Sequence, residues 1–138
     1  MKIVFNDIKT GQSFQKEVEA GKQAQLLGKK IGDAIEGGLI GLDGFKLKLT
    51  GGSNKDGVPM RSDIKGQRRT KAVVTHGVGA PHLKKGQRAL KIYSGNTISQ
   101  DSMQLNTAIS EYGTKALSEL GFTPKAKTGE KKEEQEKK

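Results

Sequence analysis

DGFKLKLTGGSNKDGVPMR, residues 43–61, is the stretch from which the rest of the chain is read. Asp43-Gly44 is a strong hairpin-turn signal. Phe45, Leu47 and Leu49 then alternate with Lys46 and Lys48, the two-residue period of a strand with one face in a core and the other in water. The glycine-rich run after Thr50 predicts a tight turn out of that strand. It also opens a segment, residues 51–91, in which ten Lys and Arg meet only two acids, Asp56 and Asp63. That surplus of eight is most of the chain's net charge of +10. The segment is dense in glycine and holds both histidines, so it reads as long basic loops projecting from a β scaffold.

Working outward, residues 2–7 (KIVFND) place Ile3 and Phe5 on one face of a strand, the glycine turn at Lys9-Thr10-Gly11 follows, and residues 13–18 complete a hairpin. Residues 19–27 have the composition of a short helix ended by Gly28. Residues 31–36 and 39–42 are short apolar pieces separated by Gly37-Gly38. Residues 72–75 and 89–93 are strand candidates on either side of a loop. Residues 101–112 fit a helix stripe (Leu105, Ile109, Tyr112) and a strand face (Met103, Leu105, Thr107, Ile109) equally well. Residues 114–120 suggest a second short helix, with Thr114 as its N-cap. The expected fold is mainly β: a small twisted β-barrel with one or two short helices, long basic loops and a charged C-terminal tail. Residues 1–122 are expected to form one domain. Residues 123–138, with Ala126 as their only apolar side chain, are too polar to offset the entropy of ordering and should be mobile.

Composition narrows the function. There is no cysteine, hence no thiolate chemistry and no disulfide framework. Apolar runs are too short for a membrane span or the core of a signal peptide, so the chain is expected to be soluble and intracellular. His76 and His82 lack further ligands at any metal-site spacing, and a nucleotide-handling site built from either with Asp56 is the weakest of the functional readings. The run from Gly52 to Gly57 has the glycine spacing of a phosphate loop, but Val58 and Pro59 stand where Lys and Ser or Thr are needed. No catalytic residue, metal or cofactor is expected. A cation surplus nearly free of acids does suit a polyanion. The candidate contacts are Lys55, Arg61, Lys65, Arg68, Arg69, Lys71, Lys84, Lys85, Arg88 and Lys91; the arginines can fork onto phosphate oxygens and the lysines act as point charges. With aromatic residues at 4% and no tryptophan, base stacking is a poor fit unless Phe45 or Tyr93 is exposed, so backbone and shape should be read.

GGSNKDGVPM at residues 51–60 resembles the signature of the archaeal and eukaryotic family of small-subunit ribosomal protein six (the eS-six family), and the similarity extends through KIVFND, residues 28–50 and SGNTIS at residues 94–99. Val58 stands where the family usually has Phe, and residues 85–95 are less basic than the matching family loop. The resemblance implies a β-barrel bound to ribosomal RNA, a strand over residues 101–112, neighbouring ribosomal proteins as partners, a cytoplasmic ribosome-associated location and no catalysis, membrane or small-molecule substrate. The tail of mixed Lys and Glu implies the archaeal form. A free nucleic-acid-binding protein, such as an RNA chaperone or a DNA-compacting protein, is the alternative. Because residues 85–95 are less basic than the matching family loop, residues 61–71 are ranked above residues 84–91 as the stronger RNA contact.

Overall fold

The computed structural model describes residues 1–80, 82–113, 117 and 122. The expected helix over residues 114–120, apart from Leu117, and the tail 123–138 lie outside the described residues. The strands are β1 (Lys2–Asp7), β2 (Gln12–Glu17), β3 (Ala34–Glu36), β4 (Lys46–Asn54), β5 (Arg69–Val74), β6 (Ala89–Ser94) and β7 (Ser102–Glu111), with α1 at Ala20–Gln23 and a 3-10 turn at Gly37–Ile40.

β4 is the strand read from residues 45–50, with Leu47 and Leu49 buried and Lys46 and Lys48 exposed. It does not end there. Thr50 is a bulge: Leu49 pairs with Thr107 and Gly51 with Asn106, and the Thr50 hydroxyl donates to the Asn106 carbonyl at 2.9 Å. A bulge exchanges the faces of the residues beyond it, so Gly52 and Asn54 take the inward side. Gly51-Gly52 therefore belong to the strand, which corrects the expected glycine turn. The reason is close packing: a Cβ on Gly52 would run into the Gln104 carbonyl oxygen and lie 3.2 Å from the Met60 sulfur. The turn comes one step later, where the Gly57 amide donates to the Asn54 carbonyl at 2.9 Å. Likewise, Asp43-Gly44 leads into β4 from the 3-10 turn, so the β3–β4 hairpin is closed by a longer connection than a two-residue turn.

Five strands form one sheet in the order β2-β1-β7-β4-β3, and β5 and β6 form a separate ribbon. β1 runs parallel to β7, which places the strand nearest the C-terminus at the centre of the sheet. Leu105, Thr107 and Ile109 are buried as a strand face requires, but Met103 is 52% exposed. The register explains it, since Ser53 pairs with Gln104 and Asn54 with Ser102, leaving Met103 as the extra residue of a further bulge. The class is mainly β. Strand pairing does not close a barrel among the described residues: β2 and β3 are edges. α1 is shorter than residues 19–27 and buries none of its side chains; Gly21 lies inside it and weakens it, and Leu26, in the turns that follow, carries the burial. The main core runs from Ile3, Phe5 and Phe14 to Leu47, Leu49 and Leu105, with Leu117 and Phe122 packed against it. No helix among the described residues is long and apolar enough to cross a membrane.

Asp7 ties the first hairpin turn to the end of β7. Its buried carboxylate accepts from the Tyr112 hydroxyl (2.6 Å), the Thr10 hydroxyl (2.7 Å) and the Lys9 amide (2.9 Å). Burial works to raise its pKa, but the hydrogen bonds from Tyr112, Thr10 and the backbone of Lys9 and Thr10 together outweigh it and hold the carboxyl below its ordinary value. A depressed folded-state pKa stabilises the fold above the unfolded value, about 3.9, and that contribution is lost as pH falls through the folded value. Asp7→Asn is thus expected to cost about 1–3 kcal/mol at pH 7, with the gap from the parent protein narrowing once pH falls below about 4. Thermal melts at pH 7 and pH 3 measure both.

Candidate nucleic-acid interface

The β5–β6 ribbon carries the basic segment. Its register pairs Thr70 with Tyr93, Lys71 with Ile92 and Val73 with Leu90. One face, with Ala72, Val74 and Tyr93, packs on Ala80, Ile64 and Leu83 as a second small core. Tyr93 is fully buried and its hydroxyl donates to the Val78 carbonyl at 2.8 Å. Phe45 is buried as well, so neither ring is free to stack on bases.

Residues 61–68 would be an unsupported loop were they not held by residues 94–98. Amides of Gly95, Asn96 and Thr97 donate to the carbonyls of Arg68 (2.9 Å), Ile64 (2.7 Å) and Gly66 (3.3 Å), and the Arg61 amide donates to Ser94 (3.1 Å). The Asn96 side chain adds a bond from the Gly66 amide at 3.2 Å, and the Gln67 side chain donates to the Ile98 carbonyl at 3.2 Å. On its other edge the same segment meets residues 28–31, where Gly28 donates to Ile98 and Ile31 to Asn96. Gly95 is required sterically, because a Cβ there would strike the Gly66 carbonyl. SGNTIS is therefore a strap that fixes the shape of the basic loop while contributing no charge. Sequence reasoning assigned it no task, since its only local signal is a polar run containing one glycine.

The ten candidate cations divide into two sets. Lys55 is paired with Asp101 at 2.8 Å, Arg61 chelates Asp63 through Nε at 2.8 Å and Nη2 at 2.5 Å, and Arg69 is paired with Asp56. Arg61 is further held 4.9 Å above the Tyr93 ring, with its side chain 27% exposed. The hydrogen bond from Lys55 holds Asp101 below the ordinary carboxylate range, and that from Arg61 does the same for Asp63; both pairs persist into mild acid. Lys65, Arg68, Lys71, Lys84, Lys85, Arg88 and Lys91 are exposed and have no acidic partner among the described residues. Lys65 and Arg68 stand on the strapped loop, Lys71 on the ribbon, and Lys84, Lys85 and Arg88 in the β5–β6 connection. Lys91 lines a shallow groove with Asp56, Val58 and Pro59.

Among the described residues, pairing thus leaves three cations without an acid in residues 61–71 and four in residues 84–91. His76 and His82 are exposed in the β5–β6 connection, with His76 Nδ1 3.0 Å from the Thr75 hydroxyl. Asp56 and Asp63, the acids that precede them, are committed to Arg69 and Arg61.

The family model for ribosomal protein S6e matches residues 1–122. The chain is 44% identical over 119 residues to small ribosomal subunit protein eS6 of Methanothermobacter thermautotrophicus, covering 86% of this chain and 93% of that protein. It is 42% identical over 128 residues to the protein of the same name in Methanocella arvoryzae, covering 93% and 90%. Against its namesake in Methanocaldococcus jannaschii the identity is 41% over 119 residues, covering 86% and 88%.

Proposed function

Since the chain belongs to the ribosomal protein S6e family, we propose that it is a structural, non-catalytic constituent of the small ribosomal subunit, pinning ribosomal RNA through its acid-free cations. The observation that carries the contact assignment is the division of the basic segment: seven cations are left without an acid among the described residues, four of them (Lys65, Arg68, Lys71 and Lys91) on a strapped loop and ribbon already fixed in shape and three in the β5–β6 connection. Lys65, Arg68, Lys71, Lys84, Lys85, Arg88 and Lys91 meet phosphates. Lys55, Arg61 and Arg69 set the shape of the surface, with their charge largely met inside the protein. A loop ordered before binding loses less entropy on association than a flexible one, which is the use of the strap.

Residues 1–122 are the RNA-binding unit, its bent five-stranded sheet serving as the wall of a small barrel, and residues 123–138 are a charged tail. The setting is the ribosome of the cytoplasm, among other ribosomal proteins, and the named relatives place the chain with the archaeal form. Sucrose-gradient sedimentation of a native lysate tests the assignment. The chain is expected to remain with small subunits through a moderate-salt wash; recovery at the top of the gradient would instead identify a free nucleic-acid-binding protein.

A further inference from the structure

The β5–β6 ribbon has a second face, turned away from its core. Val73 and Leu90 are direct cross-strand partners, and Ile92, opposite Lys71, shares their side. These aliphatic side chains are 63%, 63% and 48% exposed, although Thr or Lys would satisfy an exposed strand equally well. A contiguous apolar patch with a polar rim marks a surface that is covered in use. The rim is basic save for Asp56, which shares a groove with Ile92 and is already paired with Arg69: neither β5 (RTKAVV) nor β6 (ALKIYS) contains an acid, Lys71 stands on this face, and exposed Arg88 immediately precedes β6.

We infer that this face docks a neighbouring protein of the small subunit, one that offers an apolar surface edged by Asp or Glu. The inference rests on the chain being a subunit constituent. Charge complementarity selects the acidic edge. RNA is the poorer occupant of the patch itself, because aliphatic side chains neither bond phosphates nor give bases an aromatic surface to stack on. Lys65 and Arg68 on the strapped loop thus face RNA alone, the Val73–Leu90–Ile92 face meets protein, and Lys71 and Arg88, on the border between them, reach phosphate while also edging the protein contact.

A photoreactive benzophenone amino acid in place of Leu90, in the full-length chain assembled into small subunits, tests this, with the same group in place of Lys65 as the companion. The expected product at position 90 is a cross-link to a protein, mapping to a peptide with an acid within a few residues of an apolar side chain. The expected product at position 65 is RNA. An RNA adduct, a basic peptide or no adduct at position 90, while position 65 still yields RNA, overturns the docking proposal alone; failure of the chain to enter subunits overturns the reading beneath it as well. As a second measurement, combining Val73→Thr, Leu90→Thr and Ile92→Thr keeps strand propensity. It should lower retention in washed subunits roughly tenfold or more while leaving the affinity for naked ribosomal RNA within about twofold and the melting profile cooperative. Unchanged retention contradicts the proposal.

Discussion

Leu47→Ala is expected to lower stability by about 2–5 kcal/mol. Leu47 is fully buried and lies between Ile35 on β3 and Ile109 on β7, its partners in register on either side. Removing its branched end leaves a cavity between β3 and β7, where neighbours on both sides are held by ladder hydrogen bonds and cannot move in to fill it. Against a typical total of about 5–15 kcal/mol, such a loss unfolds a substantial fraction of a marginal domain at growth temperature. Urea denaturation should show the midpoint falling with the slope unchanged. A loss under about 1 kcal/mol would mean that the site can collapse and that the sheet is not the rigid scaffold described.

Replacing Lys65, Arg68 and Lys71 together by Ala has the complementary outcome. All three are exposed and unpaired among the described residues, so stability should change by no more than about 0.5 kcal/mol. Affinity for small-subunit RNA should fall roughly tenfold to a hundredfold, and the log-log dependence on salt should become shallower by about 2–3. The control is the pair Lys55→Ala and Arg69→Ala. Their charges already meet Asp101 and Asp56, and exposed ion pairs contribute only about 0–1 kcal/mol to folding, so this variant should bind with nearly the parental salt dependence. Filter binding across a salt series, alongside thermal melts, separates the two sets; equal losses from both would show that internal pairing does not decide which cations reach phosphate.

Much of this was legible from local pattern. The alternation of Phe45, Leu47 and Leu49 with two lysines is a property of one strand and needs no knowledge of its neighbours, and the same holds for the hairpin of residues 2–18 and the charge surplus of residues 51–91. What escaped is non-local. The inward side of Gly52 depends on the bulge at Thr50 and on the carbonyl of Gln104, so a glycine pair that reads as a turn is a strand packed too closely for a side chain. Met103 fits the apolar face by period and leaves it because β4 is out of step at that point. Residues 101–112 were undecided by pattern, and resemblance to the family, whose matching segment is a strand, resolved them. The pairing of Lys55 with Asp101 joins the basic segment to an acid beyond it, which no count within residues 51–91 reveals. The strap at residues 94–98 works through backbone amides, and these carry no signature in side-chain chemistry.

The central claim, that seven acid-free cations hold ribosomal RNA by its phosphates, is tested most directly by the salt dependence of binding between the full-length chain and a small-subunit RNA fragment. With each phosphate contact releasing about 0.7–0.9 of a counterion, the plot of log affinity against log salt should be linear with a slope of roughly −5 to −6. A slope near zero would contradict it.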